Sequence, residues 1–328
     1  MLILLWGLAT ENPLRLVYEE LQRVNARTRL VDQREVLATE VNLSVGSDVS
    51  GSVVTRDQKI DLGEVTAAYI RPYDSRLLPV VSRAGPESRE WKHALMLDDT
   101  LSSWAEVTPS LVVNRLGDMS VNGSKPYQLE LIRKLGFNTP ETLVTTVPIE
   151  AQAFWERHGI VIYKSVSSLR SIVSRLQPEH VGRLADVTFC PTQFQQYIKG
   201  CDYRVHVVGS EVFACEVSTD ATDYRYPNGN PVRIRSCSLP QDVEDRCRLL
   251  AARMNLPVAG IDLRRSPDGE WYCFEVNPSP AFSYYQSESG QPISSAITRL
   301  LINGSSCEPA LPGCLYNYPE AGARSNAF

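Results

Sequence analysis

Residues 260–280 read GIDLRRSPDGEWYCFEVNPSP, and the Asp268-Gly269 dipeptide between two alternating runs marks a tight β-hairpin. With those two residues as the loop, paired positions carry numbers of constant sum, and Asp262 falls directly opposite Glu275. The two carboxylates then share one sheet face with Cβ atoms roughly 4.5–5.5 Å apart. Asn277, two residues on, points to the same side. Directly opposed like charges destabilise a sheet unless a cation offsets them, and a cluster of Asp, Glu and Asn oxygens suits a hard ion such as Mg²⁺. The competing reading gives Asp262 a basic partner, Arg264 or another, and leaves Glu275 in water.

Upstream, residues 194–217 read FQQYIKGCDYRVHVVGSEVFACEV. An apolar strand runs into Gln195, Gln196, Tyr197 and Ile198, and a second hairpin turns at Gly209-Ser210, where a leading glycine suits a type II′ turn. In that register Asp202, Arg204 and His206 share one face while Tyr203, Val205 and Val207 fill the other. An acid able to hold hydroxyls and an arginine able to reach phosphate thus point the same way, although a plain Asp202/Arg204 surface pair explains the pattern too. Lys125 starts a helix after a serine turn, and Lys164 ends a buried-looking strand before Ser165, Ser167 and Ser168. A helix N-terminus and a Ser-rich loop both offer free N–H groups to phosphate oxygens; a solvated surface lysine is the plain alternative for each. Arg225, Arg233 and Arg235 form a local basic cluster, or an ordinary charged hairpin.

The chain has 328 residues, 43% hydrophobic and 22% charged, with a net charge of −5, which indicates a folded protein of two or three domains and argues against a broad nucleic-acid footprint. The start, Met1 to Ala9, lacks the basic leader and length of a secretory signal, and no run approaches a membrane span. A cytoplasmic protein is expected, without nucleic-acid or membrane partners. Eight cysteines without a CxxC pair suggest neither zinc nor a disulfide framework, and most read as small buried hydrophobes.

The first region reads as alternating α/β: strand Leu2 to Leu8, a helix capped by Asn12 with Pro13 in its first turn, strands Thr28 to Val31 and Val65 to Ile70, a helix from Pro86 to Val107 with Trp91, Leu95, Leu101 and Trp104 inward, and strand Leu111 to Asn114. From Ser124 a helix capped by that serine ends at Gly136. An α+β unit follows, with strands Leu143 to Thr146 and Val161 to Lys164 around a helix from Pro148 to His158. Hairpins then dominate, separated by a helix from Gln241 to Asn255. The expected division is 1–116, 117–189, 190–303 and a tail, 304–328.

Taken in order, Lys125, Lys164, FQQYIKGCDYRVHVVG, TDYR, GIDLRR and FEVNPSP resemble the ATP-grasp ligases, and within them the RimK-like ribosomal-protein glutamate ligases and the microviridin-type peptide macrocyclases. The resemblance spans about Asn114 to Ile302. It implies an α/β and α+β chain in which two α+β subdomains clamp ATP behind an N-terminal α/β domain that helps to form the acceptor site. It also implies roles: Lys125 and Lys164 on the phosphates, the Gln196–Tyr197 linker on adenine through its backbone, Asp202 on the ribose, Arg204 with the nucleotide, Arg225 on the γ-phosphate or acyl phosphate, and Asp262, Glu275 and Asn277 on two Mg²⁺ ions, with Mn²⁺ as a substitute. Lys164 and Arg225 are thereby the catalytic candidates. SVSSLRSIV after Lys164 departs from the family's glycine-rich lid, and AFSYYQSESGQPI after Pro280 resembles the macrocyclases more than the glutamate ligases.

The implied reaction activates a carboxylate as an acyl phosphate, which an amine or hydroxyl of a peptide or amino acid attacks with release of ADP and phosphate. A phosphotransferase on the same fold and a nucleotide-binding regulator without turnover are the alternatives, and a homodimer is compatible with the pattern. The acceptor's proton has a nearby carboxylate as its natural destination, which the linear pattern does not single out.

Overall fold

The structure is a computed structural model that describes residues 1–166, 173–218 and 232–304; Ser167, Ser168, Arg225 and the tail with Cys307 and Cys314 lie outside them. Among the described residues the strands form four sheets.

The first is parallel, ordered β2-β1-β6-β7, from β1 (Leu2–Gly7), β2 (Thr28–Asp32), β6 (Val65–Arg71) and β7 (Leu111–Val113). β1 is buried along its whole length, as a strand covered on both faces requires. Helix α1 (Asn12–Arg23) carries Pro13, Leu14, Val17 and Leu21 inward, with Glu11 rather than Asn12 at its N-cap. Between β2 and β6 the chain adds an antiparallel sheet of β3 (Glu40–Val45), β4 (Val49–Val54) and β5 (Lys59–Asp61) that the sequence reading had not marked. Its alternation is weak because only Val53 and Ile60 in it are fully buried. After the single turn α2 (Pro79–Ser82), helix α3 (Arg89–Val107) begins three residues later than Pro86, where the Ser88 hydroxyl accepts from Trp91 N–H at 3.1 Å. Its buried stripe is Ala94, Leu97, Leu101 and Trp104, so Leu97 takes the place expected of Leu95.

After the short α4 (Leu116–Met119), α5 (Lys125–Lys134) starts at the expected place with Ser124 at its N-cap but without the expected side-chain cap. Gly136 follows at φ 88°, the left-handed exit that glycine permits. The next sheet, β10-β9-β11-β8, contains β8 (Thr142–Thr145), β9 (Val161–Ser165), β10 (Ser174–Arg175) and β11 (Thr192–Gln196), and its Phe194 packs with Phe154 of α6 (Pro148–His158). The last sheet, β14-β13-β12-β15-β16, is antiparallel and is built from β12 (Cys201–Val208), β13 (Glu211–Ser218), β14 (Arg233–Cys237), β15 (Val258–Arg265) and β16 (Trp271–Asn277). Helix α7 (Gln241–Arg253) covers one face through Val243, Cys247 and Leu250. Of the described cysteines Cys215, Cys247 and Cys273 are buried, and burial lifts the Cys247 thiol to about 12; Cys237 is half-buried, and Cys190 and Cys201 are exposed.

After α8 (Ser283–Ser289), helix α9 (Ile293–Asn303) returns to the first sheet. Its Ile293, Ala296, Ile297 and Leu301 share one core with Ile3, Leu5, Leu14, Val17 and Tyr69 of the N-terminal region and with Val208 and Val258 of the last sheet. We expect Ile297→Ala to cost about 2–5 kcal/mol, since a fully buried aliphatic side chain would leave a cavity between two sheets. Urea unfolding followed by circular dichroism measures it, and loss of helix α9 contacts alone, without a shift of the main transition, would contradict a shared core.

Candidate active site

The five-stranded sheet turns one face away from α7, and cross-strand register decides what that face carries. Asp202 pairs with Arg264, Arg204 with Asp262, and His206 with Gly260, while Asp262 pairs with Glu275 and Gly260 with Asn277. The expected opposition of Asp262 and Glu275 is therefore present, but the hairpin reaches it by another route. Ser266 N–H donates to Glu270 O and Gly269 sits at φ 91°, so Pro267, Asp268 and Gly269 make a three-residue loop. Leu263 then faces Cys273, one out of the expected register, until Phe274 bulges and restores it at Asp262. A bulge adds one unpaired residue and re-aims its neighbours, and here it leaves Phe274 5.3 Å under the Arg264 guanidinium. The second hairpin has the expected two-residue loop, with Gly209 at φ 56°.

Neither carboxylate of the pair is left to water. Arg204 Nη1 donates to Asp262 Oδ1 at 2.7 Å, and Lys125 Nζ, from the first turn of α5, donates to Glu275 Oε1 at 2.5 Å. A row Arg204, Asp262, Glu275, Lys125 thus crosses the face, with side chains 6%, 26%, 24% and 13% exposed. Arg264 does not take Asp262, the simplest alternative; its Nε and Nη2 donate to both oxygens of Asp202 at 2.6 and 2.8 Å, and its Nη1 to Ile198 O at 2.7 Å. Burial alone would lower the Arg264 guanidinium, yet its bonds to Asp202 outweigh that and hold it above the ordinary arginine value.

Several residues that the linear pattern did not mark hold this row in place. Gln128 on α5 donates through Nε2 to Val276 O at 2.8 Å and accepts from Val276 N–H at 3.0 Å, a two-point clamp that fixes Lys125 over Glu275. Asn114 donates to Val258 O at 2.6 Å and to Pro278 O, and accepts from Val258 N–H at 3.1 Å, tying the end of β7 to β15 and to the loop after β16. Gly260 must lack a side chain, because a Cβ would stand 2.1 Å from Arg204 Nη2 and 2.7 Å from Pro280 Cβ. Tyr285 of α8 lies under Arg204 at 5.6 Å and beside His206 at 5.2 Å. A serine, proline and asparagine-rich turn with a glycine opposite was the available signal for the last three; Gln128 offered only its i+3 spacing from Lys125.

His206 is fully buried, its Nε2 lies 3.5 Å from Arg204 Nε, and its Nδ1 has no hydrogen-bond partner among the described residues. Burial first and the Arg204 charge second push its imidazole well below the usual histidine value, so it is neutral.

Of the remaining expected residues, Lys164, Gln196 and Tyr197 lie on the other sheet and the linker that leaves it, and Asn277 ends β16. Lys164 in β9 pairs with Gln193 of β11. Gln196 ends β11, and the N–H groups of Gln196 and Tyr197 donate to Glu141 O and Ile160 O at 2.9 and 3.0 Å, so any contact of this linker with a base falls to its carbonyls or to the residues that follow. The Tyr197 ring lies 5.5 Å from the Arg264 guanidinium. Asn277 Oδ1 accepts from Ser279 N–H at 2.9 Å. As a metal site, Asp262, Glu275 and Asn277 offer oxygen donors alone on adjacent strand positions, with about a quarter of each carboxylate exposed. That donor set fits a hard divalent cation, which would share these oxygens with Arg204 and Lys125. No described helix is long and apolar enough to cross a membrane.

Residues 124–301 match the RimK-like ATP-grasp domain family. Among solved structures the fold is similar to macrocyclase MdnC of Microcystis aeruginosa bound with precursor peptide MdnA, at a TM-score of 0.80 and 22% identity over 92% of this chain and 100% of that one. A RiPP-associated ATP-grasp ligase of Chryseobacterium gregarium, in complex with ADP and a leader and core peptide, gives 0.78 and 21% over 92% and 97%. D-alanyl-alanine synthetase A of Vibrio cholerae gives 0.62 and 12% over 93% and 98%. Comparison with curated protein sequences gives no match.

Relief of like-charge repulsion would make Asp262→Asn stabilising, but Arg204 already offsets that charge. The substitution instead replaces the carboxylate beside a nearly buried guanidinium with a neutral amide, and we expect a loss of about 1–3 kcal/mol, between an exposed pair and a fully buried one. Chemical denaturation of the ligand-free protein tests it; a gain in stability would show that repulsion dominates. For His206, the unfolded chain takes up a proton below its ordinary value near 6.5 that the folded chain refuses. Stability is thus unaffected above that value and falls as pH drops through it, by about 1.4 kcal/mol per unit. Urea unfolding at pH 7.5 and 5.5 should show this slope in the native chain and lose it in His206→Gln.

Proposed function

Because the chain belongs to the RimK-like ATP-grasp family over residues 124–301, we propose that it is an ATP-dependent ligase that activates a carboxylate of a peptide substrate as an acyl phosphate and joins it to an amine or hydroxyl. The observation that carries this reading is the charge row itself. A polyphosphate with its divalent cation brings both signs of charge, and the row can exchange partners with it: Lys125 and Arg204 turn to phosphate oxygens while Asp262, Glu275 and Asn277 take the cation. Magnesium, two ions or manganese in their place, supplies neutralisation of the transferring phosphoryl group.

The chain's own residues do the rest by placement. Lys125 acts from the first turn of α5, where the helix dipole also favours anions. Lys164 approaches from the other sheet, so the phosphates lie between two rigid sheets, and Arg225 would meet the oxygens on which charge collects. The linker 196–200 joins those sheets, and Arg264 fixes it through the Ile198 carbonyl while occupying Asp202; a ribose hydroxyl at Asp202 must therefore share it with Arg264. We divide the enzyme accordingly into 1–116, which forms one wall of the acceptor site, 117–189 and 190–303. That the macrocyclase MdnC binds a precursor peptide supports a peptide substrate here, and the net charge of −5 weighs against a nucleic-acid partner; the enzyme is read as cytoplasmic and without a membrane partner.

The test follows the oxygen. A panel of acidic peptides and amino acids, each with heavy oxygen in its carboxylates, is incubated with Mg-ATP. One labelled oxygen should leave in inorganic phosphate, and the product should weigh one water less than its parts. Unlabelled phosphate formed in step with product would exclude an acyl phosphate, and a product heavier by a phosphoryl group would make the protein a kinase. Lys164→Ala should weaken nucleotide binding about tenfold or more, whereas Arg225→Ala should lower kcat more than affinity.

A further inference from the structure

The parallel sheet has its switch point between β1 and β6, since β1 connects through α1 to β2 on one side and the chain later returns to β6 on the other. Crevices at such points open beyond the carboxyl ends of the strands and receive ligands. Gly7 and Arg71 are the last paired residues there, and a Cβ on Gly7 would stand 2.6 Å from the Arg71 carbonyl oxygen. The Arg71 side chain, 8% exposed, donates through Nε and Nη2 to one oxygen, Glu11 Oε1, at 2.9 and 2.6 Å, and through Nη1 to Pro280 O at 3.3 Å.

Pro280 connects this crevice with the charge row. Its ring lies against Gly260 beside the Arg204 guanidinium, while its carbonyl meets Arg71. Glu11, at the N-cap of α1, therefore stands at the rim of the same site, with its side chain 34% exposed and its Oε2 without a partner among the described residues. The carboxylates of the sheet face are otherwise engaged: Asp262 with Arg204 and Glu275 with Lys125 in the row, and Asp202 with Arg264 beside it.

We propose that Glu11 receives the proton of the acceptor nucleophile and that Arg71 is its positioning residue, an inference that rests on the ligase reading above. The acceptor nitrogen or oxygen attacks the carbonyl carbon of the acyl phosphate. The new C–N or C–O bond forms, the bond from that carbon to the phosphate oxygen breaks, and phosphate leaves with the electron pair. The acceptor's proton passes to Glu11 Oε2 and from there to water. Two donors on Oε1 hold the carboxylate in one orientation and leave a single oxygen for the acceptor, which is the geometry a general base needs.

The experiment compares Glu11→Gln, Glu11→Asp and Arg71→Lys with the native chain in two assays, using the donor and acceptor found in the labelled-phosphate panel and, separately, hydroxylamine in place of the acceptor. Hydroxylamine is mostly uncharged at pH 7.5 and captures an acyl phosphate without help from a base. Glu11→Gln should lower kcat for the true acceptor at least 100-fold with little change in its KM, and its residual rate should climb with pH. Hydroxamate formation should fall no more than about threefold, and Glu11→Asp should recover at least tenfold over Glu11→Gln. Arg71→Lys should fall between them. Parallel loss in both assays would make Glu11 a structural clamp on Pro280, and full ligation by Glu11→Gln would remove it from the chemistry. A native chain that yields neither ligation nor hydroxamate with any donor overturns the ligase reading itself and this proposal with it.

Discussion

Everything in this molecule is arranged around four charges in a row. Arg204, Asp262, Glu275 and Lys125 lie mostly out of water, where an unpaired charge would cost several kcal/mol. Their alternation satisfies that constraint without a ligand. The same alternation makes the site receptive, because a ligand carrying both a polyanion and a dication can replace every contact it breaks. A row of one sign would be unstable when empty, and a neutral row would have no reason to bind.

Such a row is only as good as the backbone that sets it. Asp262 and Glu275 face each other because two strands pair, but Lys125 arrives from a helix about 150 positions earlier in the chain than Glu275, and the Gln128 clamp on Val276, with Leu129 and Ile132 packed into the core beneath the sheet, fixes how far that helix stands off. Asn114 performs the same service between the parallel sheet and the loop after β16. Helix α9 then closes the assembly by burying Ile297 and Leu301 in a core shared with α1 and β1. The parallel sheet is thus part of the site's frame, and Arg71 and Glu11 come to it through Pro280.

The hairpin at 258–277 shows how a correct pairing can rest on a loop of different length. Asp268-Gly269 suggested a two-residue turn, whereas the chain uses three residues and recovers the register with a bulge at Phe274. The recovery is not neutral, since the bulge brings Phe274 beneath Arg264 and so helps to hold the arginine that would otherwise be the obvious partner of Asp262. Local turn chemistry announces a hairpin; which side chains end up beside one another depends on where the ladder slips.

The sequence by itself determined the alternation of strands and helices, the hairpins at Gly209 and Asp268-Gly269, the opposed carboxylates and the helix start at Lys125, because these depend on period, caps and turns that act within a dozen residues. Short, weakly buried strands such as β3 to β5 escaped it, for with most of their side chains half in water they carry little apolar pattern. Only the tertiary structure decided which cation serves which carboxylate. Arg204 and Arg264 are two positions and one strand apart from equivalent choices, and charge pairing within a sheet is settled by register and by the room that Gly260 leaves. Glu11, Arg71 and Pro280 meet across some 270 residues for the same reason: Coulomb attraction and hydrogen bonding act between neighbours in space, and spatial neighbourhood is set by the packing of α9 and the parallel sheet rather than by any stretch of chain.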